Sequence, residues 1–518
     1  MGEQVAKPYG AIVIGAGHNG LACACYLAKA GLRVLVVEQY DRIGGMSVTE
    51  ELAGPGFRSD VHASGYLVAK LTAAQAELNL AAHGLDLITP DPNWAQVFPD
   101  GGSLVIGRDV ETTAASFAQF SRRDAETWRE LYDEYLRQKP AIVAGMNKPP
   151  VAEGGSDADL RFRMQTARSW VDETFESREI RAFLASAALH AGLAPDDALG
   201  ARFSWLFLCA VQDVGVSIVR GGMHNLCDAL ARALEREGGE IRTGARVVDL
   251  VVQEGGATGV VLENGERIPV EGVIAANVDP RHLALDILRE ERIGESVAER
   301  ARRYEWGPSF FGIYAALDGP VAYKAGQPPG RVGYVHACHA SVDAIAHSFV
   351  EIRQGKLPSE PMIGIINESA VDPSRAPHGK GLVKLIVHFV PYALAGDGPG
   401  GIRGSQWGDV KEAYADHVID WVTRAFIPDL RSRVVSRCVR SPIDYERRTS
   451  SAVHGTHQHG AFLPYQEGAY RPFPGLSGYR TPIPNVYLCG AGAHPGSGIS
   501  LAPGRNAAKL IASQIGIR

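Results

Sequence analysis

Runs of consecutive apolar residues, rather than alternating ones, punctuate the start of the chain. Residues 11–15 (AIVIG) and 34–38 (VLVVE) are each continuous, the pattern of parallel strands buried on both faces. Between them, residues 21–30 carry apolar positions at helical spacing and end at Gly31, a residue suited to closing a helix. The three segments predict a βαβ unit.

From about residue 72 to 214 the spacing becomes helical and the charge density rises. A hairpin is expected over 98–108, turning at Asp100-Gly101-Gly102, and an exposed loop over the Gly- and Pro-rich 145–156. Arg220-Gly221-Gly222-Met223 leads into a helix over 224–237. Strands follow at 247–252 and 259–262, then an Asn264-Gly265 turn into 267–270, and a separate buried strand at 273–276. Strands at 310–317 and 382–389 and a helix at 411–427 precede a last strand, 486–490, and a closing helix from about 504. A chain of 518 residues exceeds what one core usually serves. We expect an α/β domain assembled from 1–75, 215–285 and 440–518, and a second, α+β domain from 76–214 and 286–439.

Composition narrows the classes. The formal net charge of -6 gives no reason to expect nucleic acid as a partner. The seven cysteines are odd in number and form no CxxC pair. Cys23 and Cys25 point to different faces of their helix, which fits a reduced, cytoplasmic setting and argues against a redox-active dithiol. Residues 1–9 lack the apolar core of a signal peptide, and Ala6 stands where a myristoylation signal needs Ser or Thr. The longest apolar stretch, 203–211, is far short of the roughly 20 residues that span a bilayer. Contact with a membrane surface is left open, as is the oligomeric state.

Gly15-Ala16-Gly17-His18-Asn19-Gly20 is a GxGxxG placed directly after a strand and before a helix. Gly15 permits the tight turn, Gly17 lets the backbone approach a pyrophosphate, and Gly20 lets helix and strand pack closely. The helix terminus offers free N–H groups to phosphate. Glu38 ends the second strand, 18 residues after Gly20, where a carboxylate can accept from a ribose hydroxyl and would repel a 2′-phosphate. These residues predict a dinucleotide site. Just beyond Glu38 and Gln39 comes Arg42-Ile43-Gly44-Gly45-Met46-Ser47. Two adjacent glycines allow a second close backbone approach, and the arrangement resembles the extended flavin-binding signature of the glutathione-reductase-like superfamily. The cofactor expected is therefore FAD, on a glutathione-reductase-like Rossmann domain with the α+β substrate domain inserted.

The far end of the chain carries a second grip. Gly490, Ala491, Gly492, Gly496 and Gly498, then Ile499 and Ser500, lie between an apolar strand and an alanine-rich helix. Dense glycines suit a backbone passing close to a flat ring, and the helix terminus would face the edge where negative charge builds on reduction.

Taken together, these residues resemble the phytoene desaturase-related flavoproteins, in the branch of the pyridine nucleotide-disulphide oxidoreductase domain-containing protein 2. The resemblance rests on VIGAGHNGLACACYLAKAGLRVLVVEQ, on Pro55-Gly56-Phe57, on RGGM at 220–223, on ANVDP ending at Pro280, and above all on residues 479–508. It spans nearly the whole chain. Ser497 interrupts the run of glycines that the family often has after His-Pro. By family position, Val247 would contact the adenine. The resemblance implies hydride or oxygen chemistry on isoprenoid- or carotenoid-like molecules, so the partner expected is a small hydrophobic substrate.

No second GxGxxG follows a strand, so substrate is expected to reduce the flavin, and oxygen or a quinone to reoxidise it. His62 and His494 are the acid–base candidates, because imidazoles titrate near neutral pH. His454, His457 and His459 lie close in sequence, but no carboxylate or cysteine falls within the group, and no metal is expected. Residues 203–211 and 310–314 are candidate walls of an apolar tunnel, or ordinary core. Two other functions stay open on the sequence: a flavin oxidase of an amine or other small molecule, and a non-catalytic flavoprotein acting through partners.

Overall fold

The computed structural model describes residues 8–150, 156–326 and 332–517. The expectations for residues 1–7 and for the centre of the 145–156 loop lie outside them.

In chain order the strands are β1 (Tyr9–Ile14), β2 (Val34–Val37), β3 (Trp94–Val97), β4 (Ser103–Ile106), β5 (Glu240–Arg242), β6 (Val247–Gln253) and β7 (Gly256–Leu262). They continue as β8 (Arg267–Ala276), β9 (Ser309–Leu317), β10 (Tyr334–Ala337), β11 (Met362–Ile366), β12 (Gly381–Val390), β13 (Val434–Arg440) and β14 (Val486–Leu488). The helices that position the site are α1 (His18–Lys29), α2 (Arg122–Met146), α3 (Gly200–Val214), α4 (His224–Arg236), α5 (Trp407–Ala425) and α6 (Ala502–Gln514).

Two seven-stranded sheets organise the chain. The first runs β6-β7-β8-β1-β2-β5, with β14 also pairing β8. Its centre is parallel: β8 on β1, β1 on β2, β2 on β5 and β8 on β14. Val34 to Val37 are all buried, as are Ile12 and Val13. Covering each such side chain contributes about 1.5–3 kcal/mol, which is why this region reads as unbroken apolar runs. α1 packs against both α4 and α6. The segment after β8, carrying Leu283, Ile287, Leu288 and Tyr304, joins the same core.

The expected break between 267–270 and 273–276 is absent. β8 is one ten-residue strand. Its first half pairs antiparallel with β7 and its second half parallel with β1. Gly272 causes no turn; it allows close approach, since a Cβ there would lie 2.1 Å from the Gly10 carbonyl oxygen.

The second sheet runs β13-β9-β12-β11-β10-β3-β4, antiparallel except for the β10–β3 pair. The hairpin arms lie at β3 and β4, four residues earlier in the chain than expected for the first. One face is dry: Ala95, Phe311, Ile313, Val335, Ile363, Ile365, Leu385 and Val387 pack with Val410, Tyr414 and Val418 of α5. Side chains alternate across a strand, so the other face carries Trp94, Phe310, Tyr314, His336, Lys384 and His388. That face looks toward the first sheet's loops. A third cluster, with Met46, Val48, Val61, Phe310, Ile386, Phe389 and Tyr445, fills the seam.

Among the described residues no helix is long and apolar enough to cross a membrane. All seven cysteines are free thiols, and six are buried.

Candidate functional site

Three loops meet at the carboxyl ends of β1, β8 and β14. Gly15 has φ +95°, and a Cβ there would lie 2.6 Å from the Asn277 carbonyl oxygen. A Cβ on Gly20 would lie 2.1 Å from the Gly15 carbonyl oxygen, so β1 can enter α1 only through bare backbone. Asn277 sits just past β8. Its N–H donates to the Ile14 carbonyl (2.7 Å) and its Nδ2 to the Gly15 carbonyl (3.2 Å). A Cβ on Gly490 would come within 2.9 Å of its Oδ1. One asparagine thus touches both the first and the last glycine loop.

Glu38 is buried. Its Oε2 accepts the Ala16 N–H at 2.7 Å and its Oε1 the Tyr40 N–H at 3.0 Å. Burial pushes its carboxyl above the usual range, and the Tyr40 and Ala16 N–H groups pull it back. The Ala245 N–H donates to the Glu38 carbonyl (2.7 Å), which sets the start of β6, with Val247, beside this carboxylate. Gly44 lies across Gly17 in a parallel bridge, its N–H donating to the Ala16 carbonyl at 2.9 Å. His18 Nδ1 pairs with Ser47 Oγ at 3.1 Å.

In the last loop the Cys489 N–H donates to the Ala276 carbonyl (2.9 Å), and the Ile499 carbonyl accepts the Ala69 N–H (2.8 Å). Thr72 Oγ1 donates to the Ser500 carbonyl at 2.7 Å, and Arg471 Nη2 to the Ala491 carbonyl at 3.3 Å. Gly498 has φ +98°, and its backbone acts on the His18 ring. The first turns of α1 and α6 touch, since a Cβ on Gly504 would lie 2.0 Å from the Asn19 carbonyl oxygen. Two helix N-termini therefore serve one place.

Not every expected residue points there. Arg42 pairs with Glu50 (2.8 Å) at the exposed rim, and Gln39 Nε2 donates to Ser450 Oγ (2.8 Å). Met46 is buried in the seam core. His494 turns away, its Nε2 facing the Gly145 carbonyl at 3.1 Å near the end of α2.

His62 lies in the interior beside the Tyr445 ring (5.0 Å) and His457 (6.3 Å). Burial first, then the Lys384 and Arg448 charges, drive it down to about 3. The three histidines near 457 splay apart. His454 packs on Tyr392 and Trp306 and His457 on Phe310, while at His459 burial, then the charges of His18 and Arg471, lower the ring to about 4. Among the described residues no group of three or more His, Cys, Asp or Glu side chains is placed to hold a metal ion.

Beneath His62 lies a buried charge network that sequence reading missed. Lys384 Nζ donates to the Asp60 and His62 carbonyls (2.8 Å each) and to Ser64 Oγ (2.7 Å). Arg375 Nη2 lies 3.1 Å from both Asp60 Oδ1 and Glu368 Oε2. All of these side chains are buried. Burial pushes Glu368 up and Lys384 down. The readable signal was Lys384 and His388, four apart in an otherwise apolar strand and hence on one face.

The family described as "Flavin containing amine oxidoreductase" matches residues 20–512. The pyridine nucleotide-disulfide oxidoreductase domain-containing protein 2 of Rattus norvegicus is 31% identical, over 98% of this chain and 94% of its own. The chain belongs to the flavin-containing amine oxidoreductases. It is an FAD-dependent oxidoreductase of the phytoene desaturase-related kind. One of the limonene dehydrogenase subunits of Castellaniella defragrans is 29% identical over 98% of this chain and 95% of its own, and the phytoene desaturase of Fusarium fujikuroi is 25% identical over 97% and 88%. Putrescine oxidase shares the fold, with a TM-score of 0.62 at 15% identity over 99% of both chains.

The residues of this oxidoreductase fit an FAD. The glycine turn, the crossing Gly44-Gly45 pair and the paired helix N-termini form a cradle built largely of bare backbone. Asn19 Oδ1 and His62 Nε2 are buried without a hydrogen-bond partner, polar atoms that a ligand at this place would satisfy.

Proposed function

We propose that this enzyme removes a hydride and a proton from a neutral, largely apolar molecule, of isoprenoid or carotenoid type. FAD, when bound, supplies the hydride acceptor and later passes the electron pair to oxygen or a quinone. The segments 1–75, 215–285 and 440–518 would form the cofactor domain, and 76–214 and 286–439 the substrate domain. Gly15, Gly17, His18, Asn19, Gly20, Gly44 and Gly45 would hold the pyrophosphate, Glu38 the ribose, and Val247 the adenine. Gly490, Ala491, Gly498, Ile499 and Ser500 would back the ring. His62 would line the reacting side as a neutral hydrogen-bond partner, since an imidazole held near 3 is a poor base at neutral pH.

The carrying observation is the chemistry of the second sheet's inner face. It offers aromatic rings, neutral imidazoles and the buried Lys384, and the carboxylates beneath it, Asp60 and Glu368, are already taken up by Arg375 and Lys384. An ammonium ion here would be buried without a counter-charge, which is strongly unfavourable. Limonene and phytoene, for which two of the relatives are named, are uncharged. Phe203, Phe207 and Phe462 keep partial exposure and face one another, consistent with an apolar passage, while Leu208, Cys209 and Val211 of the same stretch are core.

The test is anaerobic bleaching of the FAD-loaded enzyme at 450 nm by two panels, neutral isoprenoids and primary amines. Bleaching by the neutral panel alone is expected. Bleaching by amines alone overturns the proposal.

A further inference from the structure

Seven of the sixteen histidines lie in the interior with lowered pKa. Four of them, His18, His62, His457 and His459, cluster with the loops described above. The other three form a separate group on the substrate side. His336 (β10) and His388 (β12) project from the inner face of the second sheet. His190 comes from a short helical turn, Ala187–Ala191, laid over that face.

His190 Nε2 and His336 Nε2 are 2.9 Å apart, a direct imidazole–imidazole hydrogen bond. Their rings stack at 5.0 Å, and His388 lies 5.5 Å from His190 and 5.9 Å from His336. Trp94 closes one side, 4.7 Å from His336. Phe207 stacks on His190 at 4.5 Å, and Phe310 lies 5.6 Å from His388. Gly364 leaves room for the His388 ring, since a Cβ there would sit 3.0 Å from Nε2. His336 Nδ1 and His388 Nδ1 are buried without any hydrogen-bond partner, although His336 is only 1% exposed and His388 6%.

Polar nitrogens are rarely left unpaired in an interior, because the desolvation they suffer is uncompensated. Three imidazoles gathered among mostly aromatic neighbours cost stability and do nothing for packing that Phe or Leu would not do better. No carboxylate acts on any of the three rings, so nothing there pairs with an organic cation, and among the described residues no such group is placed to hold a metal ion. In the neutral His190–His336 pair one ring donates and the other accepts at Nε2. Exchanging those roles moves a proton to or from the outer Nδ1, so the pair can present either a donor or an acceptor. His190, Phe203 and Phe207 keep partial exposure, which places the group beside the aromatic passage.

We propose that His190, His336 and His388 form a recognition site for an uncharged oxygen, a hydroxyl or a carbonyl, carried by an otherwise apolar substrate. This rests on the neutral-substrate reading above and deepens it: the substrate is an oxygenated hydrocarbon, held by its oxygen at the imidazoles.

The experiment uses the full-length, FAD-loaded enzyme and three probes of one carbon skeleton: geraniol, its aldehyde, and the deoxygenated 2,6-dimethyl-2,6-octadiene. Binding is followed by calorimetry and by the difference spectrum of the bound flavin, both independent of turnover. The oxygenated probes should bind at least about tenfold more tightly than the hydrocarbon, the worth of one net hydrogen bond in a dry site. His336→Phe and His388→Phe should each erase that ratio while leaving flavin content unchanged. His388→Gln, which restores a donor and an acceptor, should recover part of it. Equal binding of all three probes, binding of none, or a ratio that survives both Phe variants overturns this site. The first and last of these outcomes leave the neutral-substrate reading standing, whereas bleaching by amines alone defeats that reading itself.

Discussion

Glu38 Oε2 accepts the Ala16 N–H at 2.7 Å across 22 residues of chain, so the acid at the end of β2 holds the glycine turn at the end of β1. The same carboxylate keeps lone pairs for a ribose hydroxyl. Glu38→Gln would turn an amide NH2 toward one of two backbone N–H donors. Charge-assisted hydrogen bonds of this kind are worth about 1.5–3 kcal/mol. FAD affinity should fall at least about tenfold, read from the 450-to-280 nm absorbance ratio during FAD titration.

Two glycine-to-alanine changes should move stability in opposite directions. In Gly504→Ala the new methyl group would meet the Asn19 carbonyl oxygen at 2.0 Å and the Cys23 nitrogen at 3.0 Å, both fixed backbone. The first turns of α1 and α6 would be forced apart at a cost of about 1–3 kcal/mol, with flavin loosened as well. Gly408, in the first turn of α5, has nothing within 4 Å of its Cβ position. Gly408→Ala should stabilise by about 0.5–1 kcal/mol. Urea denaturation of both variants checks the signs.

Removing Lys384 should cost more than removing its network. Lys384→Met leaves Asp60 and Glu368 facing Arg375 alone, an uncompensated buried charge worth about 3–5 kcal/mol of destabilisation. Lys384→Met combined with Glu368→Gln restores the balance, and the double variant should be more stable than the single one. A double-mutant cycle in urea measures the coupling; strict additivity would show that the two groups do not share a charge balance.

Acid should unfold the protein from an unusually high pH. The seven interior histidines are held below 6.5, His62 and His388 at about 3 and His18 and His459 at about 4. Below pH 6.5 the unfolded chain binds protons that the folded chain refuses, so stability falls with pH by about 1.4 kcal/mol per unit per histidine. Glu467, pushed up to about 7 by burial, and Glu368, also raised, act oppositely between the usual carboxylate range and their folded values. The histidines outnumber them. Tm should drop by at least about 10 °C between pH 7.5 and 5.0, measured by scanning calorimetry at fixed FAD concentration.

Local chemistry in the first forty residues determined the glycine turn, because Gly15, Gly17, Gly20 and Glu38 act within one βαβ unit and need only their own neighbours. It read the start of α1 three residues late, since the helix begins at His18, inside the glycine motif. Gly272, in the gap expected between two strands, is a point of backbone contact, a distinction that depends on a partner strand more than 250 residues away.

What the amino-acid order determined by itself was the glycine loop at each end, since apolar runs, glycines and an acid at set spacings carry their meaning locally. Only the tertiary structure decided that Asn277 joins the two loops, that His454, His457 and His459 face three different ways, and that His190 meets His336 across 146 positions. The second sheet is buried on both faces, so the polar–apolar alternation that would have told them apart is largely erased from the sequence. Their difference is set by packing: α5 covers one face with hydrocarbon, and the other is left to the imidazoles and the buried charges.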